Sequence, residues 1–161
     1  MINKLRKHPS FETILSLLEN ISINLVDFRK EELSNSVFYQ IVITNSDHTA
    51  GIVECAQSHK LLQPRLSVLE NNREIEMEVT TPGNQRNMRD FYEFNAFLNR
   101  AVKIYDSKIS AWIEGILTVV EGDEVTLHHA VIEDTKDIID EYKIPNERIQ
   151  KAKLAYAWED M

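Results

Sequence analysis

The chain has 161 residues, room for one ordinary domain or two small ones. With 43% apolar residues it can bury a core, and no apolar run approaches the ~18 residues that a membrane span needs. The formal charge is −8. Nine basic face eleven acidic residues over 1–88 and nine face fifteen beyond, so most of the acidity lies in the second half. A free-standing binder of phosphate backbones usually carries the opposite sign, which points to a basic partner.

The opening "MINKLRKHPSF" is basic, with no apolar stretch before a small-residue cleavage site, and is expected to be a mature cytosolic terminus. "PSFETILSLLEN" predicts a helix with Ser10 as N-cap, Glu12 in the positive first turn, and Phe11, Ile14, Leu15 and Leu18 at helical spacing. "SINLVDFRKEEL" and "VFYQIVIT" are β-branched and aromatic, two strands joined through "EELSNS". After the loop "NSDHTAG", the stretch "VECAQSHKLLQPRLSVL" carries a helical stripe through Val53, Ala56, Leu61 and Leu62. Pro64 is expected to end or kink that helix, giving a broken or two-part element reaching about Leu69. "EIEMEVT" then alternates, with Ile75, Met77 and Val79 on one face and Glu74, Glu76 and Glu78 on the other. The order α-β-β-α-β makes a small two-layer domain.

Beyond it, "RDFYEFNAFLNR" predicts a short aromatic helix or turn that buries Phe91, Phe94, Phe97 and Leu98. Five short strands follow at close spacing: "AVKIYD", "AWIEGILTVV", "EVTLHHAVI", "DEYKI" and "KAKLAYA". "EGDE" at 121–124 is a tight, glycine-containing hairpin connection. This pattern suggests a small barrel or sandwich, with the domain boundary between Arg86 and Tyr92.

Catalytic signatures fail in turn. The four glycines are too dispersed for a phosphate-cradling loop. Cys55 is the only cysteine, which excludes an intrachain disulfide and a cysteine-built zinc site, and is expected to be a small core hydrophobe. His128 and His129 are adjacent on a strand and expected to point to opposite faces, while Ser58 and His59 are helix neighbours that do not face each other. The run "EDTKDIIDEY" lacks the alternating ligands and turn glycine of a calcium loop and is expected to be solvated. Glu74, Glu76 and Glu78 would sit about 7 Å apart along their strand, too spread to converge on one ion without further ligands. Tyr105, Trp112 and Trp158 look isolated, so no aromatic-basic platform is expected. Lys151 and Lys153 form a close basic pair on one strand face. These residues describe an acidic, two-domain, non-catalytic binding protein.

Three stretches make the pattern more specific. "EVTTPGNQRNMRDFYEFNAFLNRAV" resembles the ribosome maturation factor RimP family, which carries E-V-S-S-P-G-x-D-R-P-L, a spaced aromatic pair and a valine; Glu78, Val79, Thr80, Thr81, Pro82, Gly83, Arg86, Met88, Phe94, Phe97 and Val102 keep that spacing. "GILTVVEGDEVTL" is similar to G-x-[LI]-x-x-V-x-[GD]-x-x-[VI]-x-[LV], and "IPNERIQKAKL" to I-P-x-x-x-I-x-K-A-x-L. Upstream, "LVDF", "YQIVIT" and "ECAQSHKLL" match more thinly. Gln85 and Asn87 replace an aspartate and a proline of the pattern, Asn99 replaces a glycine, and His59 a serine.

The resemblance implies an α+β chain: an α-β-β-α-β domain over residues 1–86, then a small Sm-like, SH3-type β-barrel over 87–161. It implies a cytoplasmic, monomeric, non-enzymatic factor for maturation of the 30S ribosomal subunit, engaging a basic small-subunit protein near the decoding centre and using no cofactor. Contact with 16S rRNA is the alternative, a direct RNA-binding role for the barrel. Thr81, Pro82, Gly83 and Arg86 are the expected interdomain linker, with Pro82 and Gly83 in a type II turn that needs positive φ at the glycine. The acidic run Glu133, Asp134, Asp137, Asp140 and Glu141 is the first candidate partner surface. The glutamate row on "EIEMEVT" is either a solvated face or a partner-facing edge.

Overall fold

A computed structural model describes residues 1–155 of the chain. Within it the chain divides into two compact units, Lys4–Pro82 and the residues from Gly83 onward together with Met1–Asn3. The break falls inside "TTPG", four residues before the boundary expected at 86/87.

The first unit is built from α1 (Phe11–Glu19), β1 (Asn24–Glu32), β2 (Ser36–Thr44), α2 (Ile52–Leu69) and β3 (Glu74–Thr80). The strands form one mixed sheet in the order β1-β2-β3, with β1 antiparallel and β3 parallel to β2. A parallel neighbour requires a crossover, and α2 supplies it. The helix α1 buries Phe11, Ile14 and Leu18, and the central strand β2 buries Val37, Tyr39, Ile41 and Ile43 completely.

Two helix details depart from the sequence reading. Ser10 stands at the start of α1 but does not cap it; its hydroxyl lies 2.8 Å from the Tyr39 hydroxyl. Tyr39 gives its single proton to Glu70 at 2.8 Å, so Ser10 donates to Tyr39 and its oxygen is directed into the core. Helix α2 runs unbroken through Pro64, which sits on the exposed side, and its buried face is Ser58, Leu62 and Leu66. Val53 is 64% exposed, and Cys55 is half-buried rather than in the core, so the stripe through Val53 and Ala56 is rotated away from the packed face.

The second unit begins with a 3-10 helix, Phe91–Ala96, followed by β4 (Ala101–Asp106), β5 (Ala111–Glu121), β6 (Glu124–Ile132), β7 (Ile138–Pro145) and β8 (Ile149–Leu154). All pairings are antiparallel, in the order β7-β6-β5-β4-β8. The two edge strands are separated by three others in the sheet, yet only residues 146–148 lie between them in the chain. Four Cα steps reach at most about 14 Å, whereas the edges of a flat five-stranded sheet stand about 19 Å apart. The sheet is therefore strongly curled at that end, although no pairing between β7 and β8 joins its edges into a closed barrel.

Two local devices allow the curl. Gly115 faces a bulge in β6, and a Cβ there would meet the His128 carbonyl oxygen at 3.1 Å, Leu127 Cβ at 3.1 Å and Ala130 Cα at 3.2 Å. His129, in that bulge, has φ 52°, which strengthens the local bend. A polar clasp spans the curled end: Asp106, fully buried on β4, accepts from Arg148 Nε and Nη2 and, at 2.9 Å, from the Tyr142 hydroxyl on β7.

Candidate functional site

The connecting segment is anchored differently from the expectation. Gly83 does not adopt positive φ, and nothing lies within 4 Å of where its Cβ would be. The type II turn at Pro82-Gly83 is thus corrected: the turn lies two residues later, closed by the Arg86 amide donating to Gly83 O at 3.2 Å, with Thr81 and Pro82 between it and the end of β3. The anchor is Arg86. Its Nε donates to Glu93 Oε1 at 2.6 Å, and Glu93 is fully buried. The other Glu93 oxygen accepts the amides of Arg89 and Asp90, at 2.6 and 3.1 Å, so one carboxylate organises the whole entry to the 3-10 helix. Backbone bonds from Met88 to Ala152 and from Leu154 to Arg86 bind the segment to β8. Asn99 takes φ 68°, a left-handed conformation that asparagine tolerates where the pattern has glycine.

All five residues of the acidic run are exposed, but they do not converge. Glu133 and Asp134 occupy the turn after β6, where Asp134 has φ 66°. Asp137 precedes β7, while Asp140 and Glu141 are successive residues of that edge strand and so project to opposite faces. Glu133 folds back to accept the Trp112 amide at 3.4 Å. In the first unit, Glu74, Glu76 and Glu78 are all exposed on the edge strand β3. Among the described residues no group of three His, Cys, Asp or Glu side chains could hold a metal ion, and no helix is long and apolar enough to cross a membrane. Ser58 is buried with its hydroxyl donating to Glu54 O at 2.7 Å, and burial pushes the Cys55 thiol upward in pKa, so neither is set up as a nucleophile. The bulge brings the rings of His128 and His129 to 4.1 Å, correcting the opposite-faces expectation for that pair.

The sequence reading missed one assembly. Register places Trp112 across from Tyr105, and Tyr105 across from Lys151. One step along, Glu114 faces Lys103 and Lys103 faces Lys153. These six positions share the face of β5-β4-β8 opposite to buried Ile113, Ile104 and Ala152. Tyr105 and Trp112 meet edge to face with centroids 5.6 Å apart. The ammonium groups of Lys103 and Lys153 lie 5.8 and 5.3 Å from the Trp112 ring centroid. A cleft of about 580 Å³ adjoins this face, lined by Met1, Ile2, Asn87–Arg89, Trp112 and Gln150–Lys153. Tyr105 and Trp112 are therefore not isolated, and an aromatic-basic platform is present. The alternation of Lys103 and Tyr105 within "AVKIYD", matched by Lys151 and Lys153, was the available signal. Trp158 lies outside the described residues, as does the end of "KAKLAYA".

No family model matches the chain. Among solved structures it is similar to a novel Sm-like archaeal protein from Pyrobaculum aerophilum, at 19% identity and a TM-score of 0.38, over 42% of this chain and about half (52%) of that one. It is also similar to the SmAP (LSm) protein from Methanococcus vannielii, at 20% identity and a TM-score of 0.36, over 40% of this chain and 92% of that one. Both are coarse likenesses of fold.

Proposed function

We propose that the chain is a divergent RimP-type factor: a non-catalytic, cytoplasmic protein that binds immature 30S particles and assists their maturation through a basic small-subunit protein. In this reading the first unit is the family's α-β-β-α-β domain and the curled sheet its Sm-type barrel. The observation that carries it is the order and spacing of the three motif stretches. They fall on the break between the units, on the β5–β6 hairpin, and on the β7–β8 turn with β8, and these elements shape the second sheet. The acidic partner surface is supported by the exposure of Glu133, Asp134, Asp137, Asp140 and Glu141.

Exposed charges steer encounter more than they hold a complex. Exchanging those five carboxylates for their amides should therefore lower the association rate with a purified basic small-subunit protein and flatten its salt dependence. The direct test is co-sedimentation with small subunits, immature and mature. Retention on the immature particles is expected, and absence from both would overturn the reading.

A further inference from the structure

We infer that the outer face of β4, β5 and β8 binds single-stranded nucleic acid, with a base stacking on Trp112 and the flanking phosphates held by Lys103, Lys151 and Lys153. The inference rests on this face alone and is independent of the assembly-factor reading.

Opposite charges facing each other across strands stabilise a sheet face. Lys103 stands directly opposite Glu114, yet its ammonium lies over the Trp112 ring, and no ion pair joins it to that carboxylate. Lys103 and Lys153 are cross-strand neighbours of like charge, an arrangement that costs stability. Among the described residues none of the three lysines has a carboxylate partner within ion-pair distance. The face therefore keeps, among the described residues, three lysines without a carboxylate partner, two of them over the Trp112 ring, beside two touching aromatic rings.

This combination selects the occupant. An anionic polypeptide would use the cations but leave the rings idle. Nucleic acid uses both, because every base offers a π-face while its phosphates meet the ammonium groups. The adjoining cleft of about 580 Å³ falls in the range that accommodates one nucleoside-sized group. Glu114 and Glu133 border the platform and limit it to a short stretch of strand.

The experiment uses the full chain carrying Trp158→Phe, which leaves Trp112 as the only tryptophan. Unstructured 12-mer oligonucleotides of RNA and DNA are titrated at 50 and 200 mM salt, reading Trp112 fluorescence. Anisotropy of labelled oligonucleotide on the unmodified chain gives an independent measurement should that variant misfold. Saturable quenching is expected. Three phosphate contacts at about 0.7 per phosphate give a logarithmic salt slope near −2, roughly a 20-fold loss between the two salts. The triple variant K103Q/K151Q/K153Q should abolish that slope, and Trp112→Leu should weaken binding about 5- to 150-fold. Trp112→Phe should restore much of the loss. Absence of oligonucleotide binding to the folded chain would overturn the inference. So would a poly-glutamate peptide of equal charge that binds as tightly and is indifferent to Trp112→Leu.

Discussion

Glu70 should make the first unit acid-labile in a way that one substitution removes. Its side chain is nearly buried, which opposes ionisation, but Lys30, Tyr39 and Arg73 all donate to it and outweigh that cost, holding its pKa at about 2. Against an ordinary value near 4.5, the difference corresponds to about 3 kcal/mol of stability contributed by the ionised form. Because the folded-state pKa is depressed, the unfolded chain binds the proton more readily. The contribution is complete above pH 5, declines as pH falls through 4.5, and is largely gone by pH 2. Glu70→Gln removes the titrating group and should cost about 3 kcal/mol at pH 7. The assay is urea unfolding of both proteins, followed by far-UV circular dichroism from pH 7 to pH 2. The stability gap between them should narrow progressively below pH 5. A gap that stays constant across that range would refute the reasoning, showing that Glu70 acts by packing and not by its charge.

Three further substitutions probe the second unit. Gly115→Ala should destabilise by roughly 1–3 kcal/mol, because its Cβ would meet the His128 carbonyl and the β6 backbone at 3.1–3.2 Å; the urea midpoint reads this. Gly83→Val should be nearly silent, within about 0.5 kcal/mol, since neither φ nor space requires glycine there. Asp106→Asn should cost about 3–5 kcal/mol in the same measurement, because Arg148 would keep a partly buried charge facing a neutral amide.

How far the sequence disclosed this molecule depended on whether the information was local. Alternation in "AVKIYD" gives the limits of β4 directly, because one-sided burial writes a period of two into the strand, whereas in β6 the bulge at His128 and His129 interrupts that period. Helix α2 was harder. Ile52, Val53, Val68 and Leu69 are all exposed, so grease on both sides of the helix hid the face formed by Ser58, Leu62 and Leu66. The Gly83 turn was misplaced because Pro-Gly is a strong local signal, whereas the chain is fixed there by Arg86 on a glutamate seven residues on. The aromatic-lysine face was invisible for a different reason. It exists only in the register of three strands, and one of them, β8, is separated from the other two along the chain by the whole of β6 and β7.

That separation also has a temporal meaning. The strands β5, β6 and β7 follow one another through hairpins and can pair as soon as each is made, while β4 must wait for β8 to gain its second neighbour. Closing so long a loop comes late and slowly compared with zipping hairpins. During synthesis, Tyr105 and Trp112 can therefore meet well before Lys151 and Lys153 arrive beside them. A nascent chain passes through a stage in which the rings are presented with Lys103 alone, and the other two cations are added as β8 completes the sheet.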